Sequence, residues 1–203
     1  MIDDFGARVA SIWSELRPTT RGLVERALKL PSTSPLPGRN LPYDARADLE
    51  LSRLLSALDD RAAETSASPA TSRDEQLRRL ADTCAAVLQE KTQSAEVFTQ
   101  LIKRAGAQRD YARIDSLADE LTRFAPSEIC ELARSEDLVA RALANEALAQ
   151  CPTGVLVALL SDLVDSEIAR QALRRQALEF GSEEARQIVT MLDQVDAADE
   201  EFQ

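Results

Sequence analysis

The amino-acid sequence predicts an all-α protein: a short right-handed α-solenoid of antiparallel helix pairs, preceded by an N-terminal helical extension. Three observations carry that expectation. Apolar residues recur at spacings of three and four along most of the chain, which places them on one face of a 3.6-residue helix. No segment alternates with period two, so no sheet is expected. The frame Ala-Leu-x-x-x-Ala-Leu occurs at 142–148 and again at 172–178, and such an echo is what stacked helical units produce.

Taken in order, residues 4–16 set Phe5, Val9, Ile12, Trp13 and Leu16 along one face, and residues 20–30 follow with Leu23, Val24, Ala27, Leu28 and Leu30. The stretch PSTSPLPGRNLP at 31–42 then interrupts any helix, since its prolines lack the amide hydrogen and fix φ. A third helix spans "YDARADLELSRLLSALDDRAA", with a stripe of Leu51, Leu54, Leu55, Leu58 and Ala62. After the polar stretch TSASPATS at 65–72, Ser72 and Glu75 stand in the capping-box relation. Leu77, Leu80, Ala81, Cys84, Val87 and Leu88 line the helix that follows.

Next come 94–105, with Val97, Phe98, Leu101 and Ile102, and 110–124, with Tyr111, Ile114, Leu117, Ala118, Leu121 and Phe124; a turn around Gly106 is expected between them. Pro126 suits the first turn of a short helix, and Ser135 is expected to cap a longer one reaching Gln150. Pro152 opens "GVLVALLSDLV", whose apolar residues occupy most of its circumference and imply packing on several sides. Asp165 or Ser166 starts the next helix, Gly181 ends it and Ser182 caps the last. The division expected from this pattern is 1–64 as an N-terminal helical region with a proline-rich linker at 31–43, 65–72 as a linker, 73–197 as helical repeats, and 198–203 as a frayed acidic tail.

In the echo, Leu138, Ala142, Leu143, Ala147 and Leu148 align with Ile168, Ala172, Leu173, Ala177 and Leu178. Small residues at the alanine sites are expected to let helix axes approach closely. Residues 95–126 resemble one tetratricopeptide unit in Phe98, Leu101, the turn pair Asp110-Tyr111 and the closing Pro126, and depart from it at Ile102, Ala118 and Leu121. The later spacings of 26 to 30 residues look like shortened HEAT or armadillo-type helix pairs. Both resemblances imply an α-solenoid architecture and a protein-binding surface.

The chain carries a net charge of −11, and most of it lies after residue 71. A field of that sign repels nucleic acid and anionic membranes and favours a basic protein partner. The apolar run at 154–164 is about half the length needed to cross a bilayer. Cys84, Cys130 and Cys151 are too few and too scattered for a disulfide framework, which fits a reduced, cytoplasmic setting. The opening MIDDFGARVASIW has no basic start, so a secretory signal is not expected. An arginine count far above lysine points to a GC-rich, bacterial source.

No histidine is present, which removes Ser-His-Asp and Cys-His catalysis and His-containing metal sites. The six isolated glycines form no phosphate-binding loop. No cofactor is expected. The candidate partner-binding residues are Asp115 and Asp119, one turn apart on a helix; Asn145 and Glu146, which interrupt an apolar pattern; and Arg170 and Arg174, which with Arg175 form a basic ridge. Solvation of the carboxylates, and ion pairs from the arginines to Glu167, Glu179 or a neighbouring helix, are the plainer readings of the same residues. Trp13 reads as core, with a dimer contact as its alternative. The function expected is a non-enzymatic protein–protein interaction scaffold or adaptor. A helical enzyme using carboxylates and a divalent metal, and a sensor enclosing an apolar small molecule, are the alternatives.

Overall fold

The computed structural model describes residues 2–29, 43–65 and 72–201. Among the described residues there are eleven α-helices and two short 3-10 turns, and no strand. The two proline- and serine-rich stretches of the sequence fall almost entirely outside them. Contacts divide the chain into two compact units, Met1–Leu101 and Ile102–Gln203.

The first unit opens with a 3-10 turn at Asp3–Phe5, then α1 (Ala7–Glu15), α2 (Pro18–Lys29), α3 (Ala45–Thr65) and α4 (Ser72–Lys91). Gly6 joins the turn to α1 at φ +111, a backbone conformation that a β-carbon strains. Helix α1 ends because Leu16 is extended and Arg17 precedes a proline, which disfavours helical geometry there. Pro18 then begins α2, where its missing amide hydrogen costs nothing. The carbonyls left open at the end of α1 are met by Arg21, which donates to Trp13 at 3.0 Å, Ser14 at 3.2 Å and Leu16 at 3.4 Å.

Helix α1 packs on α3, α2 lies against both α3 and α4, and α3 packs along α4. The stripe Leu51, Leu54, Leu55 and Leu58 is fully buried, as are Leu80, Cys84 and Leu88 on α4. Each such leucine contributes roughly 1.5–3 kcal/mol of transfer free energy. Phe5, Val9 and Leu16 are buried, whereas Ile12 and Trp13 are half-buried. The guanidinium of Arg21 lies 5.7 Å from the centre of the Trp13 ring.

One polar cluster locks this unit. Arg17 donates to Glu50 at 2.9 Å and to both oxygens of Asp44 at 2.9 and 2.6 Å. The corner between α1 and α2 is thereby tied to the start of α3. Its hydrogen bond to Arg17 holds the Asp44 carboxyl well below the usual carboxylate range.

The contacts group α4 with α2 and α3, and the contact division falls after Leu101. The reason is physical: the apolar face of α4 is covered by helices that precede it. Helix α5 (Ala95–Gln108) carries the chain from one unit into the next.

The second unit contains α6 (Tyr111–Glu120), a 3-10 turn at Leu121–Arg123, α7 (Pro126–Ala133), α8 (Leu138–Ala149), α9 (Thr153–Leu159), α10 (Ser166–Glu179) and α11 (Glu183–Glu201). Helix α7 packs on α8 and α9, α8 on α10, and α10 on α7, α9 and α11. Helix α7 begins with Pro126 and Gly181 follows α10 at φ +65, as the sequence leads one to expect. Ser182 accepts from the Ala185 amide at 3.3 Å at the start of α11.

Several expectations are corrected. Helix α5 runs straight through Gly106, and the reversal comes at Arg109, which sits at φ +56. Asp110 then caps α6 by accepting from the Arg113 amide at 3.0 Å. Tyr111 is exposed rather than part of the apolar face. Helix α8 starts after Asp137, not Ser135, because the Asp137 carboxylate accepts from both the Val139 and Ala140 amides. Helix α11 runs through Glu201, and Phe202 and Gln203 of the acidic tail lie outside the described residues.

Candidate interaction surface

The surface of the second unit follows from how α8 and α10 are held. Asp137 sets the rotation of α8 so that Ala140, Ala144, Leu148 and Ala149 are buried. On α10 the buried set is Ala169, Ala172, Leu173, Gln176 and Ala177. These sets superpose at an offset of 29 residues, pairing 140 with 169, 144 with 173 and 148 with 177. The echo in the sequence has an offset of 30. It is therefore out of step with burial by one position: Ala142 is exposed where Ala172 is buried, and Leu148 is fully buried where Leu178 is 85% exposed.

Gln176 is the joint of this arrangement. Its side-chain amide donates to the carbonyls of Ala149 at 3.1 Å and Cys151 at 2.6 Å, and its oxygen accepts from Thr153 at 3.2 Å. One buried side chain thus closes the end of α8 and fixes the start of α9. A buried glutamine satisfied at both ends is stabilising, whereas the same carbonyls unpaired are costly.

Ion pairs add links between helices. Arg175 on α10 reaches Glu146 on α8 at 2.5 Å and Glu179 at 2.6 Å. Arg174 reaches Asp193 on α11 at 3.0 Å. Arg134, which caps α7, pairs with the buried Asp165 at the start of α10. Hydrogen bonds from Gln150 and from Arg175 lower the Glu146 carboxyl below its ordinary value.

The six candidate residues are placed unequally. Glu146 and Arg174 are committed to pairs between helices, and Arg170 is half-buried on α10. Asn145 is exposed on α8 beside Glu146. Asp115 and Asp119 are exposed on α6, and no ion pair among the described residues joins them to α8 or α10. Of the basic ridge expected on α10, Arg174 and Arg175 are thus engaged by ion pairs to neighbouring helices.

Sequence periodicity missed a different feature, the apolar side chains left in water. The run after Pro152 is not packed on several sides: α9 stops at Leu159, Leu163 is 98% exposed and Val164 is exposed. The helix ends there because Asp162 turns back to accept from the Val164 amide at 2.7 Å and the Asp165 amide at 3.2 Å, a local turn that competes with helical bonding. Leu138 and Val139 at the start of α8, Leu178 and Phe180 at the end of α10, and Met191 and Val195 on α11 are exposed as well. For Leu138, Val139, Leu163 and Val164 the signal that could have found them is the pair of Asp caps, at 137 and 162, that directly precede them.

Cys84 and Cys130 are buried, Cys151 is half-buried, and all three are free thiols. Burial, aided by the charge of Asp165, pushes the Cys130 thiol up to about 11, so it is not a nucleophile at neutral pH. Among the described residues no group of three or more His, Cys, Asp or Glu is placed to hold a metal ion. No single helix among them is long and apolar enough to cross a membrane. No protein-family model, no curated protein and no solved structure matches this chain.

Proposed function

We propose that the protein is a non-enzymatic interaction scaffold whose second unit is a short right-handed α-solenoid, with α7–α8 and α9–α10 as successive hairpins and α11 following. The order of contacts supports the hairpin reading, since α7 meets α9 and α8 meets α10 in addition to the contacts within each pair. The single observation that carries the functional reading is the concentration of exposed large apolar side chains on this unit. Such residues stabilise no fold when left in water, and patches of them mark binding surfaces. The partner is a protein rather than a nucleic acid or an anionic membrane, because residues 102–203 carry a surplus of nine negative charges. Asn145, Asp115, Asp119 and Arg170 contribute to its recognition, while Glu146 and Arg174 act first in ion pairs between helices. Self-association through the N-terminal helices stays compatible with this reading, and the setting it implies is the cytoplasm.

Cross-linking of the tagged, full-length protein in its source cells tests the proposal. One protein partner, attached through residues 102–201 and re-forming a stoichiometric complex from purified components, is expected. Absence of any such partner, or cross-links confined to residues 2–101, would overturn it.

A further inference from the structure

The exposed apolar side chains of the second unit are not spread at random. The ion pair between Arg134 and Asp165 draws the α7–α8 loop against the segment that leads into α10. Arg134 lies four residues before Leu138, and Asp165 directly follows Val164. Leu138 at 70% exposure, Leu163 at 98%, Val139 and Val164 therefore stand on the two adjoining segments that the ion pair joins. Two of them open a helix and two sit in a turn, positions where polar residues satisfy the backbone better than leucine or valine do.

The charges on the same two segments are mostly negative. Residues 134–141 and 162–167 hold five carboxylates, Glu136, Asp137, Asp162, Asp165 and Glu167, against two arginines, Arg134 and Arg141. Arg134 is spent on Asp165, and Arg141 donates to the Ser135 carbonyl at 3.3 Å. What remains at the surface is an apolar ledge bordered by carboxylates. Glu136, Asp162 and Glu167 are exposed.

We propose that this ledge docks a short basic, amphipathic segment of a partner protein: two large apolar side chains cover Leu138, Val139, Leu163 and Val164, and flanking lysines or arginines meet Glu136, Asp162 and Glu167. The proposal rests on the interaction-scaffold reading and names the chemistry of its partner. Apolar anchors supply the binding free energy, while opposite charge at the rim supplies orientation and encounter rate. A second copy of this chain is the wrong occupant, because it brings the same surplus of negative charge to the ledge. Anionic lipid and nucleic acid fail on the same ground.

The test is selection of short random peptides displayed on phage against the immobilised full-length protein, followed by fluorescence anisotropy with the enriched peptides. Expected sequences carry net positive charge and two large apolar residues, and their affinity falls as salt rises. The double variant Leu163→Ser with Val164→Ser should weaken them about tenfold or more, the loss of roughly 1.4 kcal/mol of anchoring. Glu136→Lys with Glu167→Lys should weaken them as well. All four side chains are exposed, so both variants fold, and circular dichroism verifies it. Enriched peptides that are neutral or acidic would overturn the proposal. Basic peptides that bind both variants as tightly as the parent would remove this ledge yet leave the scaffold reading standing, whereas no enrichment at all would count against both. A dimer in sedimentation velocity that the serine variant abolishes would assign the ledge to self-association and overturn the proposal too.

Discussion

The two units solve the same burial problem differently. The first hides its large apolar side chains almost completely: among its described residues only Leu49 is strongly exposed. Its charge is also nearly balanced, with a surplus of two negative charges against nine in the second unit. The second unit buries alanines where the first buries leucines, and it leaves leucine, valine, phenylalanine and methionine in water. The difference teaches that the residues holding the second unit together and those it leaves in water are separate sets, even within one helix.

The largest effect that sharpens this comparison comes from two leucines that the sequence echo treats as equivalent. Leu148→Ala should cost about 2–5 kcal/mol in denaturant unfolding, the usual loss for an emptied core site, whereas Leu178→Ala should change stability by less than about 0.5 kcal/mol. Equal costs would mean that the echo, not the burial offset, defines the repeat. Next in size is Gln176→Leu, which leaves the Ala149 and Cys151 carbonyls without their donor. A loss of about 2 kcal/mol is expected, visible as faster hydrogen exchange in α8 and α9 and unchanged exchange in α3 and α4.

Smaller again is Ala172→Leu, where overpacking should cost roughly 1–3 kcal/mol, against less than about 0.5 kcal/mol for Ala142→Leu on the exposed face. The smallest effect concerns acid. Asp44 is held below its unfolded value of about 3.9, so the stability it adds is present above that pH and lost as pH falls below it. Melting of the first unit should accordingly drop in acid, and Arg17→Ala should flatten that part of the profile; an unchanged profile would remove the clamp from the account.

Much of this architecture is legible in the sequence. The stripes on α3 and α4 are long and dominated by leucine, so periodicity alone identified both the helices and their buried faces. Proline at 126 and glycine at 181 act through backbone geometry that no neighbour overrides, and they marked helix ends correctly. Gly106 failed as a marker because glycine tolerates a helix interior as well as a turn, and the left-handed residue is Arg109. The echo failed by one residue because an Ala-Leu pair does not reveal which member faces the neighbour; the Asp137 cap and the Gln176 joint settle the rotation instead. Of the candidate residues, Arg174 is legible as an ion-pair former, since carboxylates abound around it. The apolar ledge is only faintly legible: a leucine in a sequence reads as core, and the one sign against that reading is an aspartate cap just before each pair, at 137 and 162.

Hydroxyl-radical footprinting of the purified, full-length protein tests the central contrast most directly. Leu138, Leu163, Leu178, Phe180 and Met191 should be oxidised readily, while Phe5, Leu51, Leu55 and Phe98 stay unmodified. Protection of the first group to the level of the second would show that the second unit covers its own apolar surface, and the account of an open, recognising edge would be contradicted.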